Sequence, residues 1–297
     1  MSAIKSLLFA TDFSEASEAA LPYVAAVAQA YACDLHLVHV LPELGLLHPG
    51  ATGLSRGSVY ESSRNGVQAR AKRVSARLKD VPHHVHIRQG GICDQLEKLI
   101  REQEIDLLVV GTHGRTGLGR LVMGSVAEEI LRSATCPVLT VGPGVLQRFA
   151  RTPFAGKHLA DIRQILYATD FKQASLEALA NAISFAQQFE SRLALLHVIE
   201  DYGEHLEETP GPTEAAMAKL RELVPDDAVL PHAPEFLAQF GAAAESILQT
   251  AVEREADLMV LGARPANRRA AAASHFSRTI AHKVIVGAHC PVLTVRA

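Results

Sequence analysis

The chain of 297 residues is 48% hydrophobic and 21% charged, with a formal net charge of −3. That length suits two domains, and the apolar share is ample for folded cores, which excludes wholesale disorder. No apolar run approaches the roughly 20 residues that cross a bilayer, so no membrane partner is expected.

Ile4–Ala10 reads as an apolar strand, Ser14–Tyr31 as an Ala-rich helix and Leu35–Leu41 as the next strand. A Gly- and Pro-rich loop over 42–57 leads into a basic amphipathic helix ending at Lys79. Val85–Gln89 is a strand, Cys93–Gln103 a helix and Asp106–Val110 a continuous apolar strand. After a Gly-rich loop, Ser125–Ser133 is helical and Pro137–Val141 is a closing strand. Continuous apolar strands alternating with helices are buried on both faces, which predicts an α/β fold around a parallel sheet with right-handed crossovers. Ligands of such sheets bind outside the carboxyl ends of the strands. The informative positions are therefore Thr11-Asp12, Val40-Leu41 and the stretch from Gly111.

The pattern then repeats. Leu7–Val40 aligns without a gap onto Ile165–Val198, with 15 of 34 positions identical. Ala10-Thr11-Asp12-Phe13 matches Ala168-Thr169-Asp170-Phe171, and His39-Val40 matches His197-Val198. Residues 106–111 (DLLVVG) match 257–262 (DLMVLG), and both copies close on CPVLTV, at 136–141 and 290–295. A period this long is a duplicated domain rather than a solenoid. The copies occupy 1–142 and 164–297, joined by a linker over 143–163. Their charges differ: the first has 14 basic and 14 acidic residues, the linker 4 and 1, and the second 11 and 17. Neither copy is basic enough to neutralise a phosphate backbone, so no nucleic-acid partner is expected.

The loop Gly111-Thr-His-Gly114-Arg-Thr-Gly117-Leu-Gly119-Arg-Leu-Val-Met-Gly124-Ser125 leaves a buried strand and enters a helix. Glycines let backbone amides approach a ligand, and a helix start favours anions. Ser125 can cap the helix and offer a hydroxyl to phosphate, while His113, Arg115 and Arg120 add cationic character. The loop lacks the Lys of a Walker A motif and is not GxGxxG. Its chemistry alone leaves two readings, a phosphate cradle or a surface loop in which Gly124 permits tight packing.

Gly111-x2-Gly114-x9-Gly124-Ser125, the opening ATDFSEAS and the closing CPVLTV resemble the universal stress protein family. The resemblance covers nearly the whole chain, as a tandem of two such domains. It implies two Rossmann-like doubly wound domains, each a five-stranded parallel sheet of order 3-2-1-4-5 with helices on both faces, packed as an intramolecular pseudo-dimer. It also implies ATP as ligand, with Mg2+ or Mn2+ shared by the phosphate oxygens. Asp12 would contact the nucleoside and Val40 the adenine, with the amides of Gly111, Gly114, Gly124 and Ser125 around the phosphates. The full expected binding set is Asp12, Val40, Gly111, His113, Gly114, Arg115, Gly124, Ser125 and Val126. Asp12 also suits an N-cap of the helix beginning near Ser14.

The second copy departs from this motif. Anchored on Cys-Pro, Gly124 becomes Arg278 and Ser125 becomes Thr279; counted from the strand, Gly114 becomes Pro265. A long side chain and a missing donor are poor replacements for a cradle. Nucleotide is therefore expected in the first copy only. The terminal apolar strands leave edges that need partners, and pairing between the copies within one chain would supply them; a further homodimer is compatible.

His83-His84-Val85-His86 places His84 and His86 on one strand face, too few ligands for a metal, so a solvent-facing edge strand is expected. His39 and His197 fit core or site-wall roles, and Cys136 and Cys290 structural ones. The cysteines show neither CxxC spacing nor a disulfide framework, and Met1–Lys5 has no signal-peptide architecture, so a cytoplasmic setting is expected. No catalytic set of side chains is evident. The resemblance implies a stress-response, ATP-binding regulator, and one that is not an enzyme is expected. The alternatives are a slow ATPase using His113, or an interaction or non-nucleotide ligand module acting through the second copy.

Overall fold

The computed structural model of the chain describes residues 4–41, 56–112, 123–145, 161–200, 211–263 and 279–296. It divides into two compact units, Ile4–Cys136 and Pro137–Ala297. Most of the linker expected over 143–163 lies outside the described residues.

In the first unit, β1 (Ser6–Ala10), β2 (Asp34–Leu41), β3 (His83–Gln89) and β4 (Leu107–Gly111) form a parallel sheet in the order β3-β2-β1-β4. Leu7, Leu8 and Phe9 of β1 and Leu107–Val110 of β4 are buried at every position. A run without alternation means helices cover both faces. These are α1 (Glu15–Glu18), α2 (Leu21–Tyr31), α3 (Arg56–Arg77), α4 (Ile92–Glu102) and α5 (Ser125–Ser133). α4 turns Leu96, Leu99 and Ile100 inward, and α5 turns Ala127, Ile130 and Leu131 inward, each at helical spacing.

The second unit repeats the plan with β6 (Gln164–Ala168), β7 (Arg192–Ile199), β8 (Glu235–Phe240), β9 (Leu258–Ala263) and β10 (Val292–Arg296). All five are parallel, in the order β8-β7-β6-β9-β10. Its helices are α6 (Gln173–Gln188), α7 (Pro212–Leu223), α8 (Ala243–Glu253) and α9 (Ile280–Gly287). The first copy's closing strand β5 (Val138–Val141) also belongs to this unit, where it lies antiparallel to β10. Leu139 faces Leu293, Thr140 Oγ1 donates to the Val292 carbonyl at 3.0 Å, and Thr294 Oγ1 donates to the Val138 carbonyl at 3.2 Å. The two strands exchange equivalent bonds.

The helix expected over 14–31 is interrupted. Pro22 has no N–H to give to the Glu18 carbonyl, so α1 ends at Glu18 and α2 restarts at Leu21. The second copy has Ala180 at the aligned position, and α6 runs unbroken for 16 residues.

Each copy ties its first strand down in the same way. Asp106 Oδ2 accepts from the Lys5 and Ser6 amides at 2.7 and 3.1 Å, and Asp257 Oδ2 from the Arg163 and Gln164 amides at 3.0 and 3.2 Å. These charge-assisted bonds fix the start of the strand whose other end, in the first copy, borders the candidate site.

Candidate functional site

At the carboxyl end of β1 the chain leaves the sheet through a strained turn. Phe13 has φ 58°, in the left-handed region that a bulky residue rarely adopts. Local hydrogen bonds hold it there: Thr11 Oγ1 accepts from the Phe13 amide at 3.0 Å, and Asp12 Oδ1 accepts from the Ser14 amide at 2.9 Å. Asp12 therefore makes an Asx turn. The cap of α1 is Ser14, whose Oγ accepts from the Ser17 amide at 3.1 Å, so the expected N-cap role of Asp12 passes to its neighbour.

His39 lies under this turn. It is buried, its ring packs 4.8 Å from Phe13, and its Nδ1 is 2.7 Å from the Thr11 carbonyl. A carbonyl can only accept, so Nδ1 carries a hydrogen and donates it. The second copy reproduces the arrangement with Thr169, Asp170, Phe171 (φ 58°) and His197.

Beyond the turn lies a cavity of about 220 Å³ between the ends of β1, β2 and β4 and the starts of α4 and α5. Asp12, Val40, Gly111, Gly124, Ser125 and Val126 all line it, so six of the nine expected binding residues share one wall system. His113, Gly114 and Arg115 lie outside the described residues, as does the altered 264–278 loop of the second copy. The sequence reading missed the apolar lining from Val38, Ile92, Leu96, Val110 and Ile130. Ile92 and Leu96 share a helix face at i and i+4, which was the available signal. Thr11, Ser17, His39 and Thr112 also reach the cavity.

The mouth of α5 differs from expectation in two respects. Ser125 is the first helical residue and does not cap; the N-cap is Gly124, which has no side chain to bond the first turn. The Gly124 amide is given to the Thr112 carbonyl at 2.8 Å. Amides that a helix cannot satisfy internally at this end belong to Ser125, Val126 and Ala127, all on the cavity wall. Gly124 has φ −65° and ψ 145°, which any residue adopts, and an added Cβ would meet only the Thr112 carbonyl oxygen, at 3.4 Å. Its value is the space it leaves.

The second copy closes both corresponding helix starts with its own side chains. Thr279, the N-cap of α9, accepts from the His282 amide at 3.1 Å. Glu200 Oε1 accepts from the Ala243 amide, at the first residue of α8, at 3.0 Å.

The profile of the universal stress protein family matches residues 3–142 and again 161–296. The chain belongs to the universal stress protein family. It is a tandem member, with one domain in each copy. The first relatives agree: universal stress protein MJ0577 of Methanocaldococcus jannaschii is 30% identical over 152 residues, covering 46% of this chain and 94% of that protein. A universal stress protein of Thermus aquaticus is 36% identical over 141 residues, covering 46% of this chain and 98% of that protein. Among solved structures, a universal stress protein of Archaeoglobus fulgidus superposes with a TM-score of 0.68, covering 98% of each chain at 17% identity, a likeness of fold.

Burial pushes the Cys136 thiol up to about 12, which keeps it protonated and unreactive. Among the described residues no helix is long and apolar enough to cross a membrane. The His84–His86 strand face is not simply solvent-facing, because buried His36 bonds His86 from β2.

Proposed function

We propose that the first domain binds an adenine nucleotide, ATP in the first instance, and that the second domain does not. The observation that carries this is the uncapped start of α5, opening on a cavity with apolar walls. The first-turn amides of Ser125, Val126 and Ala127 suit a phosphate, and Val38, Val40, Ile92 and Leu96 suit a flat apolar base. Asp12 stands at the end of β1 for the nucleoside. Mg2+ or Mn2+ would be shared by the phosphate oxygens. The self-capped helices of the second copy, through Thr279 and Glu200, argue for a single site.

The protein acts on this reading as a stress-response regulator whose nucleotide biases its conformation or partners, without turnover. Among the described residues lining the cavity, His39 Nδ1 is held by the Thr11 carbonyl, Ser17 Oγ donates to Thr11 Oγ1 at 2.9 Å and Asp12 Oδ1 accepts from the Ser14 amide, which supports binding over turnover. Extraction of nucleotide from the purified full-length chain, followed by equilibrium dialysis with ATP, tests the proposal. One adenine nucleotide per chain is expected. None, even with added ATP, would refute it, and steady release of ADP would refute the non-enzymatic reading.

A further inference from the structure

The outer edges of the two copies carry opposite charge. Among the described residues β3 pairs only with β2 and β8 only with β7, so each strand ends its own copy's sheet. α3 packs against β3, and α7 holds the same place against β8. Residues 64–89, over α3 and β3, hold seven Lys or Arg and one acidic residue. Residues 212–240, over α7 and β8, hold two Lys or Arg and five acidic residues. Arg64, Arg70, Lys72, Arg73 and Lys79 have no acidic partner among the described residues. Arg70 and Arg73 are spaced i and i+3, and Arg73 and Arg77 i and i+4, so like charges lie side by side on the helix. On the other edge, Glu214, Glu222, Asp226 and Asp227 are exposed and have no basic partner among the described residues. The two cations near them are engaged within their own domain, Lys219 over the Phe171 ring and Arg221 over the Phe236 ring, each at 5.8 Å.

We propose that the α3–β3 edge of the first domain docks on the α7–β8 edge of the second domain in another copy of this chain. The contact joins two different surfaces, so it is head-to-tail, and a pair so joined still offers one edge of each sign to further copies. Docking brings the cations of α3 against the acids of α7 and relieves the like-charge crowding on each edge. Charge complementarity selects this occupant, because one chain supplies both the basic face and the acidic face, on equivalent edges of its two domains. Two other anionic partners fit less well. Between Arg64 and Lys79 the largest apolar side chains that α3 exposes are Ala69 and Ala76, which gives a bilayer nothing to bury. The first copy as a whole balances 14 basic residues with 14 acidic ones, which leaves no net field to draw a nucleic acid.

The test is sedimentation velocity of the nuclease-treated full-length chain at salt from about 0.01 to about 1 M, over which the screening length falls from about 30 to about 3 Å. At low salt, species that grow with protein concentration are expected, and at high salt they should dissociate. Lys72→Glu with Arg73→Glu in one chain, and Glu222→Lys with Asp226→Lys in another, should each weaken low-salt association at least about 10-fold, because a like-charge contact replaces an opposite one. All four positions are exposed, and circular dichroism checks that both variants fold. Mixing the two variants should recover association, since the native edge of each then faces the native edge of the other and the reversed edges also match in sign. A monomer at every salt concentration, association that does not fall with salt, association that either reversal leaves unchanged, or a mixture no better than its parts overturns the proposal. So does a wild-type chain that stays monomeric and binds anionic phosphatidylserine vesicles, which gives the α3 surface to a membrane.

Discussion

Thr279 Oγ1 accepts a hydrogen bond from the His282 amide at 3.1 Å, closing the first turn of α9 with the chain's own oxygen. Gly124, which holds the same capping position on α5, has no side chain with which to do so. In a duplicated chain this contrast separates a helix start that no capping side chain closes from one already satisfied.

A transplanted cap should therefore split stability from binding. Gly124→Thr places a hydroxyl where the backbone already has capping geometry, and urea unfolding should change by only a few tenths of a kcal/mol. ATP affinity should fall about 10-fold or more, because one charge-assisted bond of about 1.5–3 kcal/mol is displaced. Unchanged affinity in calorimetry would mean that the α5 turn is not the phosphate seat. In the second copy, Thr279→Ala should lower stability by about 1 kcal/mol.

The break between α1 and α2 comes from one residue. Pro22→Ala supplies the missing N–H, and the chain should run as one helix from Glu15 to Tyr31, as α6 does around Ala180. Hydrogen exchange should show the new amide at this position protected by the Glu18 carbonyl. An amide exchanging at the rate of free coil would show that packing against the sheet, not Pro22, sets the break.

Much of this fold was legible because duplication doubles every signal. Two copies of ATDF and CPVLTV, with unbroken apolar strands between, pointed to parallel sheets and to the strand ends as the site. The details that escaped are those set by single atoms. Ser125 reads as able to cap α5, but the helix begins at Ser125 itself, leaving Gly124 as the cap. His36 lies 48 residues before His84, so nothing local announces that the two share a face until the register of β2 and β3 brings them together. Nor did the pattern reveal that the Gly124 amide is taken by Thr112.

Alkaline conditions should destabilise the chain through buried neutral acids. Burial pushes Cys136 up to about 12 from the ordinary thiol value near 9, and Tyr167, whose hydroxyl donates to the Ser175 carbonyl at 2.7 Å, up to about 12 from near 10. The unfolded chain releases these protons first, so the folded state binds more protons across that window. Stability is full below about pH 9 and falls as pH rises towards about 12. Denaturant midpoints measured from pH 7 to 10.5 should decline, and at pH 8 Cys136 should react with iodoacetamide far more slowly in the native chain than in urea. A flat profile with rapid native alkylation would show that this thiol is not shielded.

A single nucleotide seat at the start of α5 is the central proposal for this chain. Isothermal titration of ATP into the full-length chain and into Gly124→Arg, which copies Arg278 of the second domain, addresses it most directly. One site per wild-type chain and none in the variant is the predicted result. Undiminished binding in Gly124→Arg, or two equivalent sites in the wild type, would contradict it.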